Sequence, residues 1–155
     1  MESELVEAWR VNVDTNRMLL DGVPEDGLAA RYSPRTRAVA SQFAHMHNIR
    51  VYHLKKRAKE LLGELEPFGR GAEPERAELM DALAGSDEAV AAMLELATEV
   101  GRVKSWHPAP PTFLGYLLAH EAHHRGLVIV SLRVDGHKLA KDVKDGLWNW
   151  SRKRN

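Results

Sequence analysis

Apolar residues recur along this chain at the spacing of helix turns, in four separate stretches. Val6, Trp9, Val13 and Leu19-Leu20 mark a first amphipathic segment over about residues 3–22, broken by Gly22-Val23-Pro24-Glu25-Asp26-Gly27. The next stripe, Val39, Phe43, Met46, Ile49 and Leu54, runs on towards Leu61-Leu62. Ahead of it, Ser33 and Pro34 are the residue types of an N-cap and a first helical position, so the second helix is expected to start there. Residues 69–71 read as a loop, and Glu73-Pro74 opens a third helix with Leu79, Leu83, Val90, Met93-Leu94 and Val100 on its apolar face and Gly85 as a point of bending. The proline-rich stretch 105–111 predicts an extended connection. A fourth helix follows over about 112–134, with Phe113, Leu117, Val128 and Leu132 in its stripe and Asp135-Gly136 as its stop. A short turn or helix near 138–143 and the segment Leu147-Trp148-Asn149-Trp150 complete the pattern.

No stretch alternates with a two-residue period between turn signals, so no sheet is expected. The reading is all-α: a four-helix bundle, up-and-down or with a crossover, carrying a short C-terminal extension and forming one domain over residues 1–155.

Charge narrows the partners. Twenty-two basic residues balance twenty-two acidic ones, which gives no electrostatic reason to expect nucleic acid or an anionic membrane. The basic tail Ser151-Arg152-Lys153-Arg154-Asn155 reads as a solvated terminus. With no cysteine in the chain, disulfides, thiolate zinc sites and a catalytic thiol are excluded. No signal-peptide pattern opens the sequence and no apolar run nears the roughly 18 residues of a membrane span, so the expected location is the cytoplasm.

The eight histidines carry the chemistry. In Ala119-His120-Glu121-Ala122-His123-His124-Arg125-Gly126, His120 and His124 stand one turn apart and can offer two imidazoles to one ion. Both continue the stripe of Phe113, Leu117, Val128 and Leu132, where an unpaired imidazole would be costly. His123 is rotated by roughly 100° from His124 and points elsewhere. The same letters match the H-E-x-x-H pattern of zinc peptidases, with Glu121 as general base. The longer metzincin pattern fails at Leu127 and Val130, and Glu121 reads equally well as a solvated residue or as a partner that orients an imidazole. A third ligand must come from Phe43-Ala44-His45-Met46-His47-Asn48-Ile49-Arg50-Val51-Tyr52-His53. His45 and His47 lie roughly 200° apart on a helix and cannot both face one metal; periodicity leans to His47. Three nitrogens would leave positions open to water or substrate, and imidazole ligation suits zinc, nickel, iron or copper.

The histidine in Phe43-Ala44-His45-Met46, followed far downstream by His120-Glu121-Ala122-His123-His124-Arg125-Gly126, resembles the DinB family of YfiT-like metalloproteins. The order and lengths of the four helices fit along the whole chain, and Gly146-Leu147-Trp148-Asn149-Trp150 is similar to a tail of one branch. The resemblance implies a four-helix bundle, a homodimer, and a divalent-cation site formed by His45, His120 and His124. It places the third ligand on His45, against the helical wheel. The family often has glutamine after Arg-Gly, where this chain has Leu127.

The activity implied is that of a metal-dependent enzyme, a thiol-dependent S-transferase or a hydrolase, with a low-molecular-weight thiol or an anionic compound as substrate. The alternatives are a non-catalytic, dimeric metal-binding bundle and a small metallopeptidase using Glu121. Arg50 and Arg125 read first as surface or interface ion pairs and second as holders of an anionic substrate group. Tyr52 and Tyr116 read as half-buried aromatics, and His53 and His123 as bystanders.

Overall fold

The computed structural model describes residues 1–152; Lys153, Arg154 and Asn155 of the basic tail lie outside them. Four long helices are present, α1 (Glu4–Gly22), α2 (Val39–Arg57), α3 (Arg76–Val100) and α4 (Pro110–Val134), followed by a short α5 (Lys141–Gly146). Single 3-10 turns stand at Glu25–Ala29, Lys59–Leu61 and Trp150–Arg152, and there is no strand among the described residues.

The local sequence explains most boundaries. Ser3 caps α1 by accepting from the Val6 N–H, and Glu75 and Glu78 form a reciprocal capping box at the start of α3. Gly101 closes α3 in the left-handed conformation (φ 82°), and Pro110 occupies the first position of α4.

Two expectations fail. The second helix does not start at Ser33-Pro34 but at Val39, with Ala38 as its N-cap. Ser33 instead closes a turn: its carbonyl accepts from both the Thr36 N–H and the Thr36 hydroxyl, and its own N–H donates back to Thr36 Oγ1. The residue types that cap helices also close turns, and the local bonding to Thr36 decides between them. The helix also ends at Arg57, short of Leu61-Leu62. Gly85, read from the sequence as a point of bending, lies within the continuous span of α3. A Cβ there would stand 2.8 Å from Leu65 Cδ2, so glycine admits the α2–α3 connection against the helix.

The core is divided. One apolar cluster holds Leu19, Leu20, Phe43, Met46, Leu79, Leu83, Val128 and Leu132. The other holds Val6, Trp9, Val13, Leu54, Val90, Leu94, Phe113 and Leu117. Each helix passes from one cluster to the other, which fixes directions: α1 and α4 run one way, α2 and α3 the other. Both α1 and α2 pack against α3 and α4. Because α2 and α3 are parallel, the connection between them must return along the helices. It does so over α2, held by Glu66 O at His47, by Phe68 at Asn48 and by Ala72 O at Ser41. This crossover brings residues 66–72 beside the N-terminal half of α2.

Between the apolar clusters lies a buried polar layer to which all four helices contribute. Arg50 is fully buried; its Nε and one terminal nitrogen each reach a Glu121 oxygen at 2.7 Å, and its other terminal nitrogen reaches Asp87 at 2.5 Å. Asn12 and Asn16 donate to Glu121 Oε1 at 2.9 and 2.7 Å, while their carbonyl oxygens accept from Arg125. Trp9 stacks under Arg50 at 4.8 Å and donates from its indole N–H to the Asp87 carbonyl. Two cations face two carboxylates here, so the layer is neutral, and no buried side-chain polar atom among the described residues lacks a partner.

Candidate metal centre

Helix α4 presents two different faces within one turn. Glu121 and Arg125 point into the polar layer. One residue earlier in each case, His120 and His124 are rotated by roughly 100° from them and face α2. There they meet His45, which α2 carries near its N-terminal end. The ring centroids are 4.5 Å apart for His120–His124, 4.6 Å for His45–His124 and 5.3 Å for His45–His120. One ring nitrogen from each of the three lies within 4.8 Å of the others.

Nitrogens about 2.0–2.1 Å from a common zinc-like ion sit about 3.4 Å from one another in tetrahedral geometry. Small rotations of the rings therefore suffice to close on an ion. The protonation state fits as well. Burial, then Arg37 and His120, lower His45 to about 4; burial, then the neighbouring histidines and Arg37, lower His124 to about 3. Burial likewise lowers His120. All three are neutral at pH 7, the form that ligates. His124 Nδ1 lies 2.7 Å from Gln42 Oε1, an acceptor, so Nδ1 carries the proton and Nε2 keeps its lone pair for an ion. The donor set thus fits a divalent cation. His124 is buried, while His45 and His120 are half-exposed and open the group to solvent.

The other histidines stand apart from this group. His47 uses both ring nitrogens structurally, at 3.1 Å from Ser86 Oγ and 2.9 Å from Glu66 O; the lean of periodicity towards it is not matched. His123 is exposed, in edge contact with His124. His53 packs among Tyr52, Phe113 and Tyr116 and accepts from Arg57 on Nδ1. Tyr52 and Tyr116 are about half-buried, as expected, at 52% and 41% exposure.

The arrangement also reassigns three charged residues. Glu121 would be pushed up by burial, but the charge of Arg50 and the bonds from Arg50, Asn12 and Asn16 hold it below the ordinary carboxylate value. Its oxygens point into the polar layer, so it is not placed to serve as the base of an H-E-x-x-H peptidase. Arg50 is ion-paired as expected, but inside the protein rather than on its surface; Arg125, also buried, donates to the Asn12 and Asn16 side-chain carbonyls instead of pairing with a carboxylate. Neither arginine is available to a substrate.

The sequence model of the DinB superfamily matches residues 8–128. The chain belongs to the DinB superfamily. The match runs from the first turns of α1 through the His120/His124 turn of α4, so it includes all three converging histidines of this DinB chain. No curated protein matches the sequence. No helix among the described residues is long and apolar enough to cross a membrane.

Sequence reasoning missed Gln42, which orients His124, and the polar layer behind the site. Its signal was present as polar residues one turn apart inside apolar stripes, Asn12/Asn16 on α1 and Glu121/Arg125 on α4.

Proposed function

We propose that this DinB-superfamily chain is a metal-dependent enzyme on a four-helix bundle of the family type, with His45, His120 and His124 as ligands to a divalent cation. Zinc, nickel and iron suit three imidazoles equally well. The observation that carries this reading is the convergence of three neutral histidines from two helices, one of which, His45, lines an open cleft. Three protein donors leave coordination positions for an exogenous ligand, as catalytic rather than closed structural sites do. A divalent cation bound there supplies Lewis acidity, which lowers the pKa of a coordinated thiol or water. Within the chain, Gln42 holds the His124 tautomer, and the polar layer fixes the α4 turn that presents both of its ligands.

The reading is tested by metal content after replacing His45, His47, His120 and His124 singly with alanine. Loss is expected in all but His47→Ala, and full occupancy in His124→Ala would sink the proposal. S-transfer is then assayed with several low-molecular-weight thiols and an electrophile; the signal must disappear in His45→Ala.

A second reading is a non-catalytic, dimeric metal-binding bundle. An apolar groove lined by Leu118, Ala122, Gly126 and Ile129 of α4, flanked by Trp148 at 84% exposure, offers a face for a second copy. Stoichiometric metal with no thiol or water chemistry, together with a dimer that dissociates on Trp148→Glu, would favour it.

A further inference from the structure

A cleft of about 810 Å³ opens directly beside His45. Its walls are the 31–37 turn and the 68–72 stretch of the crossover, and its floor is the first half of α2. Four arginines line it, Arg31, Arg35, Arg37 and Arg70, and no acidic residue does. Arg31 is used structurally, donating to Thr36 O and pairing with Glu73. Arg35, Arg37 and Arg70 are exposed and have no ion pair among the described residues. In a chain with equal numbers of acidic and basic residues, three unpaired cations converging on one cleft are not a consequence of overall composition. Mutual repulsion makes such a cluster unfavourable unless an anion neutralises it.

The wall that carries Arg70 is fastened to α2. Asn48 clamps the crossover by donating to Phe68 O and accepting from the Phe68 N–H, and Ser41 donates to Ala72 O. The cleft meets the N-terminal turn of α2, which has no acidic residue to offset its partial positive charge. Tyr32, Phe68 and Leu127 add apolar surface. Leu127, at the position where the resemblance leads one to expect glutamine, thus contributes an apolar wall.

We propose that Arg35, Arg37 and Arg70 form the binding site for a carboxylate or phosphate group of the small-molecule substrate, holding its reacting end against the metal centre at His45. This assignment rests on the metal-centre reading for the place of the reaction, but not for the binding itself. It gives the anionic substrate role to these three residues in place of Arg50 and Arg125, which the fold buries. The shared chemistry is a small oxyanion with an apolar or aromatic body; the charge and the metal lie on adjoining walls, so the molecule must span both.

The test is calorimetric titration of the full chain, with and without zinc, using succinate, inorganic phosphate and the uncharged succinamide as probes. Saturable binding of succinate or phosphate, and none of succinamide, is expected; which anion binds more tightly separates the carboxylate from the phosphate source. Arg35→Gln, Arg37→Gln and Arg70→Gln should each weaken binding by about fivefold to tenfold, and the triple variant should abolish it. All should keep the wild-type melting temperature, because the side chains are exposed. His120→Ala, expected to lose the metal, should still bind the anion. Anion binding without metal uptake by the wild type would therefore refute the metal centre and leave the arginine site standing. No saturable binding of either anion below about 10 mM would overturn the arginine site, as would affinity unchanged in the triple variant. Tighter binding of a single-stranded oligonucleotide than of either small anion, lost in the same variants, would overturn the small-molecule assignment.

Discussion

Glu121→Gln separates the two roles available to that residue. In the structure its carboxylate balances Arg50 through two bonds of 2.7 Å and receives two asparagine amides, in a layer where Arg50 is wholly removed from water. Glutamine keeps the volume and one acceptor for Asn12 and Asn16. It turns an N–H donor towards a guanidinium that can only donate, and it removes one of the two carboxylates compensating Arg50. Breaking a buried pair by removing one partner costs about 3–5 kcal/mol. In a chain of this length that lowers the melting temperature by about 6–20 °C. Metal content of the protein that remains folded should be close to wild type, since Glu121 faces away from the three imidazoles. Arg50→Met alone should cost a comparable amount, leaving two buried carboxylates facing one another. The double variant should be less destabilised than the sum of the singles by at least about 1 kcal/mol, because neither charge is then left alone. Denaturant unfolding of the four proteins supplies the cycle. Additive losses, or a Glu121→Gln protein of wild-type stability that has lost only hydrolytic activity, would refute the network account and restore the peptidase reading.

Three further outcomes follow from the same geometry. Gln42→Leu removes the acceptor that fixes His124 Nδ1–H and should weaken metal binding by about 10–100-fold, measured by competition with a chromophoric chelator, with little change in fold. Burial raises Asp87 from 3.8 to about 6 against the pull of Arg50. A carboxyl raised on folding stabilises most when protonated, so its contribution is present below about pH 4 and is lost as the pH rises through 6, a change of about 3 kcal/mol. Unfolding free energies from pH 4 to pH 7 should therefore shift by that amount in favour of Asp87→Asn relative to wild type; a constant difference would show that Asp87 is ionised throughout. Finally, stripping the metal with a chelator should destabilise the protein by about 2.7 kcal/mol relative to protein held at a hundredfold excess of zinc over its dissociation constant, read as a melting shift that His120→Ala does not show.

What was legible in the sequence was whatever depends on one helix at a time. His120 and His124 needed only the four-residue spacing, and the four long helices needed only their apolar stripes. His45 was different. The wheel of α2 leaned to His47 because α2 has no single apolar face: α3, α4 and the returning crossover cover it on several sides, and His47 is buried under Glu66 of that crossover. Only the family resemblance favoured His45. The start of α2 was misplaced for a local reason, since Ser33-Pro34 serves a turn as well as a cap. That error hid the arginine cleft, because Arg35 and Arg37 were counted as helix residues rather than as the lip of a loop.

The polar layer was illegible for a deeper reason, and it bears on the metal centre itself. Asn12/Asn16 and Glu121/Arg125 interrupt apolar stripes in pairs, Arg50 and Asp87 singly, and taken one helix at a time each reads as surface. They become one layer only when α2 and α3 run parallel, which places the midpoints of four helices at one depth. In that arrangement Glu121 and Arg125 are bonded to α1 and α2 from the core side, while the residues preceding them, His120 and His124, face His45 from the other. The two pairs share one turn of α4. Rotation or sliding of that turn would break bonds to two fully buried charges before it moved an imidazole off the ion. An apolar layer of equal volume could give greater stability, but it would hold the turn by contacts that tolerate small slips. The buried charges therefore act on function through geometry: they fix the azimuth of α4, and with it the direction in which two of the three proposed ligands point.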